Sequence, residues 1–357
     1  MKCVKKYMVM ALVSMGLFMA PRVKAAAQNL NTGTGEASII FGQTQSGTLE
    51  EGEKNNYSFA AAAGDRVMVR LSRTSGLLDY TIELNGPDGQ KLGEASSEAT
   101  TDLVSEALQN PGTYSIRVSY KSGAGQGSYN LTLERLNPGS GASISFGHTV
   151  SGTLAIGDLN SYTFSATSGN RVIIRMSKTS GSLNPGIHLY SPDGRELKES
   201  WSARTAELTS DALPTTGIYT VLVADYWGTS QGEFNLVVER LNPGSGPVIE
   251  FGQRVSGILA AGDLNAFTFA AAAGDRVVLR MGQTSTSATL YPEMRLYDPA
   301  GTKIQEEWSS SELEMRTDTL PSAGTYTILV FDFFGIYAGE YQLILDRLNQ
   351  PIDASHK

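Results

Sequence analysis

The chain has 357 residues, 41% hydrophobic and 18% charged, with 36 acidic side chains against 28 basic ones. Its single cysteine, Cys3, excludes a disulfide scaffold and any cysteine-held zinc or iron–sulfur centre, and three histidines (His148, His188, His356) leave little material for histidine chemistry. Glycine, at 38 residues, exceeds the roughly 7% norm of soluble chains and points to many turns between short strands.

The first element in chain order is an address. Lys2, Lys5 and Lys6 precede an apolar run from Met8 to Ala20 whose one polar member is Ser14, and small residues follow at Val23, Ala25 and Ala27. A basic start, a short apolar run and a small-residue site describe a secretory signal peptide, so residues 1–27 are expected to be removed, by cleavage after Ala25 or Ala27. The run is too short for a transmembrane span, which needs about 20 residues. Cys3 lies ahead of it, not at its end where a lipid-bearing cysteine would stand. Cleavage removes five of the basic residues and no acidic one, leaving 23 against 36 and a net charge of −13. That acidic balance, with lysines and arginines scattered singly, argues against nucleic-acid binding. The expectation is an exported chain, periplasmic, cell-surface or extracellular, without a transmembrane span.

The remainder is one module written three times. Phe41-Gly42 returns as Phe146-Gly147 and Phe251-Gly252, and Gly64-Asp65-Arg66 as Gly169-Asn170-Arg171 and Gly274-Asp275-Arg276, at a spacing of 105. Later landmarks of the third copy shift to 107: Gly112-Thr113-Tyr114 and Gly217-Ile218-Tyr219 match Gly324-Thr325-Tyr326. A two-residue insertion therefore lies within or beside residues 285–291. This period is too long for a solenoid unit and suits a domain with its own core. Asn137-Pro138-Gly139-Ser140-Gly141 and Asn242-Pro243-Gly244-Ser245-Gly246 punctuate the copies, predicting domains over 36–138, 142–243 and 247–350 held close by short links.

Within a copy, Tyr162, Phe164 and Ala166 alternate with Thr163 and Ser165, the period of a half-buried strand. Val67, Val69 and Leu71 face one way, and Arg66, Met68 and Arg70 the other. Gly64-Asp65, Pro87-Asp88-Gly89 and Asn110-Pro111-Gly112 separate such runs, and no stretch sustains a helical period. About eight strands per copy predict an all-β chain of three tandem antiparallel β-sandwiches.

The motif order makes the expectation more specific. Ser151-Gly152-Thr153-Leu154, Gly157-Asp158-Leu159-Asn160-Ser161-Tyr162-Thr163-Phe164, Tyr190-Ser191-Pro192-Asp193-Gly194 and Gly217-Ile218-Tyr219 resemble the bacterial pre-peptidase C-terminal domain family. The likeness extends over about residues 36–350. It implies a jelly-roll-like sandwich of the kind found beside secreted peptidases, aiding secretion, folding or substrate attachment, although this chain carries no peptidase.

Candidate chemistry is thin. The histidines lie too far apart for a His-Glu-x-x-His zinc motif, His148 has Gln43 and Gln253 at its equivalent positions, and no Gly-x-Ser-x-Gly elbow occurs. Nothing nominates a carboxylate pair. Asp158 and Asp263 (Glu53 in the first copy), with Asn55, Asn160 and Asn265, could offer oxygens to calcium. One acid and one amide per copy fit turn closure better. Arg66, Arg171 and Arg276, at strand starts, are expected to pair with acids. No metal and no cofactor is predicted.

Aromatic residues are what differentiate the copies. Asp225-Tyr226-Trp227-Gly228 and Asp332-Phe333-Phe334-Gly335 stand where the first copy has Ser119-Tyr120-Lys121-Ser122, and Trp201 and Trp308 stand against Ser96. Tyr226, Trp227, Phe333 and Phe334, with Trp201 and Trp308, form a candidate site for an extracellular polysaccharide or protein partner. The competing reading, favoured on economy, has them cap the sandwich or pack against a neighbouring copy. The expected function is a non-catalytic binding or assembly module. The alternative is an accessory to a separately encoded secreted peptidase or other hydrolase. Expressed singly, 36–138, 142–243 and 247–350 should each give a strand-dominated circular dichroism spectrum and a cooperative melt. Three non-cooperative fragments would end the domain reading.

Overall fold

The structure, a computed structural model, describes residues 36–76, 79–121, 126–284 and 290–349. The expected leader, His356 and residues 285–289 of the insertion lie outside them. The first repeat contains β1 (Glu36–Ser38), β2 (Gln43–Leu49), β3 (Lys54–Ala61), β4 (Val67–Gly76), β5 (Tyr80–Asn85), β6 (Lys91–Ser97), β7 (Thr100–Val104), β8 (Gly112–Tyr120) and β9 (Gly127–Arg135). The second contains β10 (Ala142–Ser143), β11 (Thr149–Leu154), β12 (Leu159–Ala166), β13 (Val172–Gly181), β14 (Pro185–Tyr190), β15 (Glu196–Trp201), β16 (Thr205–Thr209), β17 (Gly217–Asp225) and β18 (Gly232–Arg240). The third contains β19 (Gln253–Leu259), β20 (Leu264–Ala271), β21 (Val277–Gln283), β22 (Pro292–Tyr297), β23 (Lys303–Trp308), β24 (Leu313–Arg316), β25 (Gly324–Asp332) and β26 (Gly339–Arg347). No helix among the described residues is long and apolar enough to cross a membrane.

The chain is all-β, and its sheets come in pairs. In the first repeat β2-β9-β4-β7 faces β1-β3-β8-β5-β6, the strand order of a jelly roll. The second repeats it as β11-β18-β13-β16 and β10-β12-β17-β14-β15, the third as β19-β26-β21-β24 and β20-β25-β22-β23. The expectation of about eight antiparallel strands needs one correction. β1 and β10 add a ninth strand, and each pairs parallel to its neighbour, β3 or β12. The leader of each repeat drops an isoleucine (Ile39, Ile144) into the core, and its backbone, entering alongside the sheet, pairs in the direction it travels.

Each pair of sheets encloses one apolar cluster. The first includes Tyr57, Val69, Ile82, Ile116 and Leu131, the second Phe164, Ile174, Leu189, Val221 and Leu236, and the third Phe269, Leu279, Met294, Ile328 and Leu343. The recurrent glycine of Ser-Gly-Thr/Ile-Leu is a packing requirement. A Cβ on Gly47, Gly152 or Gly257 would lie 2.4–2.5 Å from the ring carbon Cζ of Tyr129, Phe234 or Tyr341. The recurrent Asn ending each repeat ties its last strand to the Gly-Asp/Asn-Arg turn. Asn137 Oδ1 accepts from Arg66 N at 2.6 Å and Nδ2 donates to Gly64 O at 2.8 Å, and Asn242 and Asn349 repeat both bonds.

Alternation predicts one exposed face for β4, yet Met68, Arg70 and Ser72 on that face are buried. The next repeat covers them. Met68 and Leu136 of the first repeat pack with Leu159, Tyr190, Leu222 and Ala224 of the second. One repeat further on, Ile173, Val237 and Leu241 pack with Leu264, Ala266, Tyr297, Leu329 and Phe331. Polar bonds frame both junctions: Thr132 Oγ1 donates to Gly157 O at 2.8 Å, Asn130 Nδ2 to Ile156 O at 2.7 Å and Asn235 Nδ2 to Ala261 O at 2.7 Å.

The pole of the first repeat that corresponds to these apolar faces is polar. The strand registers put Lys54, Asn85, Arg117 and Ser119 where the second repeat has Leu159, Tyr190, Leu222 and Ala224. The outer sheet of the third is also open, and the Arg280 side chain is 43% exposed there while that of Arg70 is 3% exposed. Among the described residues no other repeat packs on these two faces. Leu222→Ala should therefore cost about 2–5 kcal/mol in the full chain but little in an isolated 142–243 fragment. Leu236→Ala, inside the sandwich, should cost the same in both. Equal losses for Leu222→Ala in urea denaturation of the two proteins would show that the junction contributes no burial.

Candidate functional site

β17 and β25 each end in a buried aspartate, Asp225 and Asp332, that organises the turn after it. Asp225 Oδ1 accepts from Asn184 N at 2.8 Å, and Oδ2 from Thr229 N at 3.0 Å and Ser230 N at 3.1 Å. Asp332 repeats the arrangement with Tyr291 N, Ile336 N and Tyr337 N at 3.0–3.3 Å. The turn closes with Gly228 N or Gly335 N donating to the aspartate carbonyl at 3.0 Å. Both glycines sit at φ near +70°, a left-handed conformation that suits a residue without Cβ. In the first repeat the strand register places Tyr120, not Ser119, at this position. The Tyr120 hydroxyl donates to Leu49 O at 2.9 Å instead.

The backbone of each turn docks on the repeat before it. Arg70 holds Asp102 through Nε and Nη2, both at 2.7 Å, and its Nη1 donates to Asp225 O at 3.1 Å. One junction on, Arg175 Nη2 donates to Asp332 O at 2.8 Å, and Thr205 Oγ1 donates to Phe334 O at 3.1 Å. A Cβ on Gly228 would fall 2.6 Å from Thr100 Cγ2, and one on Gly335 2.5 Å from Thr205 Oγ1, so contact with the preceding repeat leaves no room there. The turn is thus a junction element. The first repeat, with no described repeat ahead of it, carries a different segment.

The rings carried by these turns reach solvent, Tyr226 only in part. Trp201, at the end of β15, stacks on Tyr226 with centroids 4.5 Å apart and planes at 16°. Trp227 stands edge-on to Tyr226 at 4.7 Å and 80°. In the third repeat Trp308, at the end of β23, stacks on Phe333 at 4.7 Å and 22°, and Phe334 stands edge-on to Phe333 at 5.0 Å and 85°. Tyr291 lies edge-on to Phe334 at 5.0 Å, with Tyr337 5.2 Å from Tyr291. Trp201, Trp227 and Trp308 are 49%, 56% and 55% exposed, and Phe333 and Phe334 are exposed as well. The backbone packs against a neighbouring copy while the rings remain accessible.

The two junctions differ in electrostatics. Arg70 shares its charge with Asp102 within one repeat, whereas Glu207 turns away from Arg175 to pair across the junction with Arg295, which also holds Glu293 at 2.7 Å. Arg175 and Arg295 both lie over the Phe331 ring, at 4.3 and 4.7 Å. Burial lowers the pKa of Arg175, and among the described residues its Nε and Nη1 have no hydrogen-bond partner.

The oxygen-bearing candidates close turns. Asp158 and Asp263 accept from Ala155 N and Ala260 N, both at 2.9 Å, and Glu53 from Glu50 N at 3.0 Å. Asn55, Asn160 and Asn265 donate to Thr48 O, Thr153 O and Ile258 O. Arg66 and Arg171 reach Glu106 and Asp211 at 2.9 and 3.9 Å. His148 Nδ1 meets Phe146 O at 3.1 Å, and His188 Nδ1 lies 2.6 Å from Glu196 and 3.5 Å from Glu199. Neither ring bonds a hydroxyl nucleophile among the described residues. The ligand atoms of His188, Glu196 and Glu199 converge within 4.8 Å, close enough to share a cation. The equivalent carboxylates of the other repeats, Glu94 and Glu306, already hold Lys91 and Lys303.

Sequence reasoning reached the six rings but not what positions them: Asp225, Asp332, Arg70 and Arg175, together with Tyr291 and Tyr337. One signal was available. An arginine recurs at 70, 175 and 280 on a strand face read as outward, where no chemistry called for it.

No family model matches the chain, and no curated protein matches it. Among solved structures it is similar to the pre-peptidase C-terminal domain of a collagenase from Bacillus anthracis, with 15% identity, 29% of this chain and 95% of that one covered, and a TM-score of 0.25. It is also similar to PliG of Aeromonas hydrophila, a periplasmic inhibitor of g-type lysozyme, with 14% identity, 28% and 96% covered, and a TM-score of 0.23. A third likeness is to the tandem CBM51 modules of a family 98 glycoside hydrolase from Streptococcus pneumoniae, with 9% identity, 56% and 83% covered, and a TM-score of 0.20.

All three tryptophans of the chain belong to the two clusters, so intrinsic fluorescence reads them directly. Native emission should be red-shifted and open to acrylamide quenching, and a blue-shifted, shielded emission would contradict the exposed geometry. Asp225→Ala removes the acceptor of three backbone amides. It should cost about 1–3 kcal/mol in denaturant titration, against a negligible loss for the exposed Asp211→Ala.

Proposed function

We propose that this is an exported, non-catalytic binding module acting outside the cytoplasmic membrane, and that its two contact surfaces are the aromatic clusters of the second and third repeats. The observation that carries the reading is the combination of exposed rings with an immobilised backbone. Apolar surface left in water marks an interaction site when it is clustered. Here each cluster sits on a turn fixed by a buried aspartate and by a hydrogen bond to the neighbouring repeat. A platform that is rigid before binding loses little entropy on capturing a partner. The basic, apolar and small-residue pattern of the first 27 residues supports export.

The test is a double substitution, Trp227→Ala with Phe334→Ala, assayed for retention on the producing cell's own envelope and exopolymer. An anchoring ring contributes about 2 kcal/mol or more to binding, roughly thirtyfold in Kd. Losing an exposed ring–ring contact costs about 0.5–1.5 kcal/mol, so the melting temperature should move little. A fall in melting temperature equivalent to about 3–5 kcal/mol per ring, with retention unchanged, would return both rings to a packing role.

A further inference from the structure

We infer that the two clusters act together on one ligand, and that this ligand is a β-1,4-linked polysaccharide passing from one repeat to the next. The inference rests on the binding role proposed above and adds to it a ligand class and a mode of engagement.

The shape of the clusters argues for a sugar. Each consists of a stacked pair, Trp201 with Tyr226 or Trp308 with Phe333, and a third ring nearly perpendicular to it, Trp227 or Phe334. The two repeats thus build the same shelf from different residues. An aromatic face carries negative quadrupole charge, which attracts the weakly positive C–H bonds lining the two faces of a pyranose whose substituents are equatorial. β-1,4 linkage keeps those faces exposed along a flat ribbon.

The size of the clusters argues against a folded protein. A ring of this kind buries about 150–250 Å² when fully covered. Three partly exposed rings offer on the order of 300 Å², well below the roughly 800 Å² that each partner contributes to a standard protein interface.

Duplication of the shelf argues for a polymer. Trp201 and Trp308, and Trp227 and Phe334, lie at equivalent positions of consecutive repeats, and each shelf is seated on the repeat before it by a buried arginine. A ligand that is itself a repeat can occupy both. Once one shelf is filled, the other sees the chain at high effective concentration, and avidity can exceed single-site affinity by about 10²–10⁴.

The experiment measures retention of the purified protein on protease-stripped peptidoglycan sacculi, chitin and microcrystalline cellulose, which share β-1,4-linked backbones. Trp201→Ala/Trp227→Ala empties one shelf, Trp308→Ala/Phe334→Ala the other, and a quadruple variant both, with unchanged circular dichroism confirming the fold. Trp201→Ser and Trp308→Ser, which introduce the residue type of Ser96, serve where an alanine pair destabilises. We expect retention on at least one polymer, a loss of about a hundredfold or more when either shelf is emptied, and no retention when both are. A two-sugar fragment of that polymer should bind a protein with one remaining shelf with unaltered affinity at that shelf. Losses of twofold or less for each single-shelf variant, with complete loss for the quadruple, would overturn joint action while leaving the binding role standing. Failure of the intact protein on all three polymers would overturn the glycan, as would retention on untreated envelope that protease abolishes, which would indicate a protein partner. A quadruple variant retained as well as the intact protein would sink the binding role itself.

Discussion

One buried guanidinium per junction governs how this chain is put together. Arg70 lies beneath the second repeat with its charge satisfied by Asp102, and spends its remaining donor on the carbonyl of Asp225, 155 residues away. Burying a guanidinium costs desolvation, which a paired acid and used donors offset. The pairing therefore selects where the next repeat's turn must sit. The second junction solves the same problem differently. Its arginine stands over Phe331, and the acid that would have balanced it, Glu207, reaches across to Arg295.

The repeats are consequently alike in fold and unlike in surface. Leu159, Leu222 and Tyr190 have a sheet to lie against, and no other repeat among the described residues packs on the equivalent Lys54 and Arg117. Each side chain follows from what covers it. The same logic explains why an aspartate ends β17 and β25. A turn that must present its carbonyls to a neighbouring arginine needs its own amides held, and the buried Asp225 carboxylate accepts two of them together with Asn184 N from the segment before β14.

Rigidity of the turn and exposure of the rings are two sides of one arrangement. Because Gly228 and Gly335 lie against the preceding repeat with no room for a side chain, the residues just before them, Trp227 and Phe334, are directed outward beside the junction. Trp201 and Trp308 arrive from the neighbouring edge strand at the same place. The junction thus supplies stability and display together, and a binding role for the clusters needs no part of the sandwich interior.

Much was determined by local pattern alone. Period-two alternation marks strands because successive side chains leave opposite sides of the backbone. The turn residues divide the strands, and the 105-residue recurrence of Phe-Gly and Gly-Asp/Asn-Arg counts the repeats. Those signals depend on neighbours in the chain, so one sequence carries them. The rings too were legible, since they interrupt an otherwise faithful duplication. The burial of Met68 and Arg70 was not, because the face of a strand that turns away from its own core looks the same whether water or another sheet covers it. Nor did Asp225 declare its purpose, since Asn184 and Arg70, which fix its place, lie on segments that only folding brings near. Tertiary structure decided which outward faces meet and which rings share a shelf. Contacts between residues more than 100 positions apart leave no local period to read.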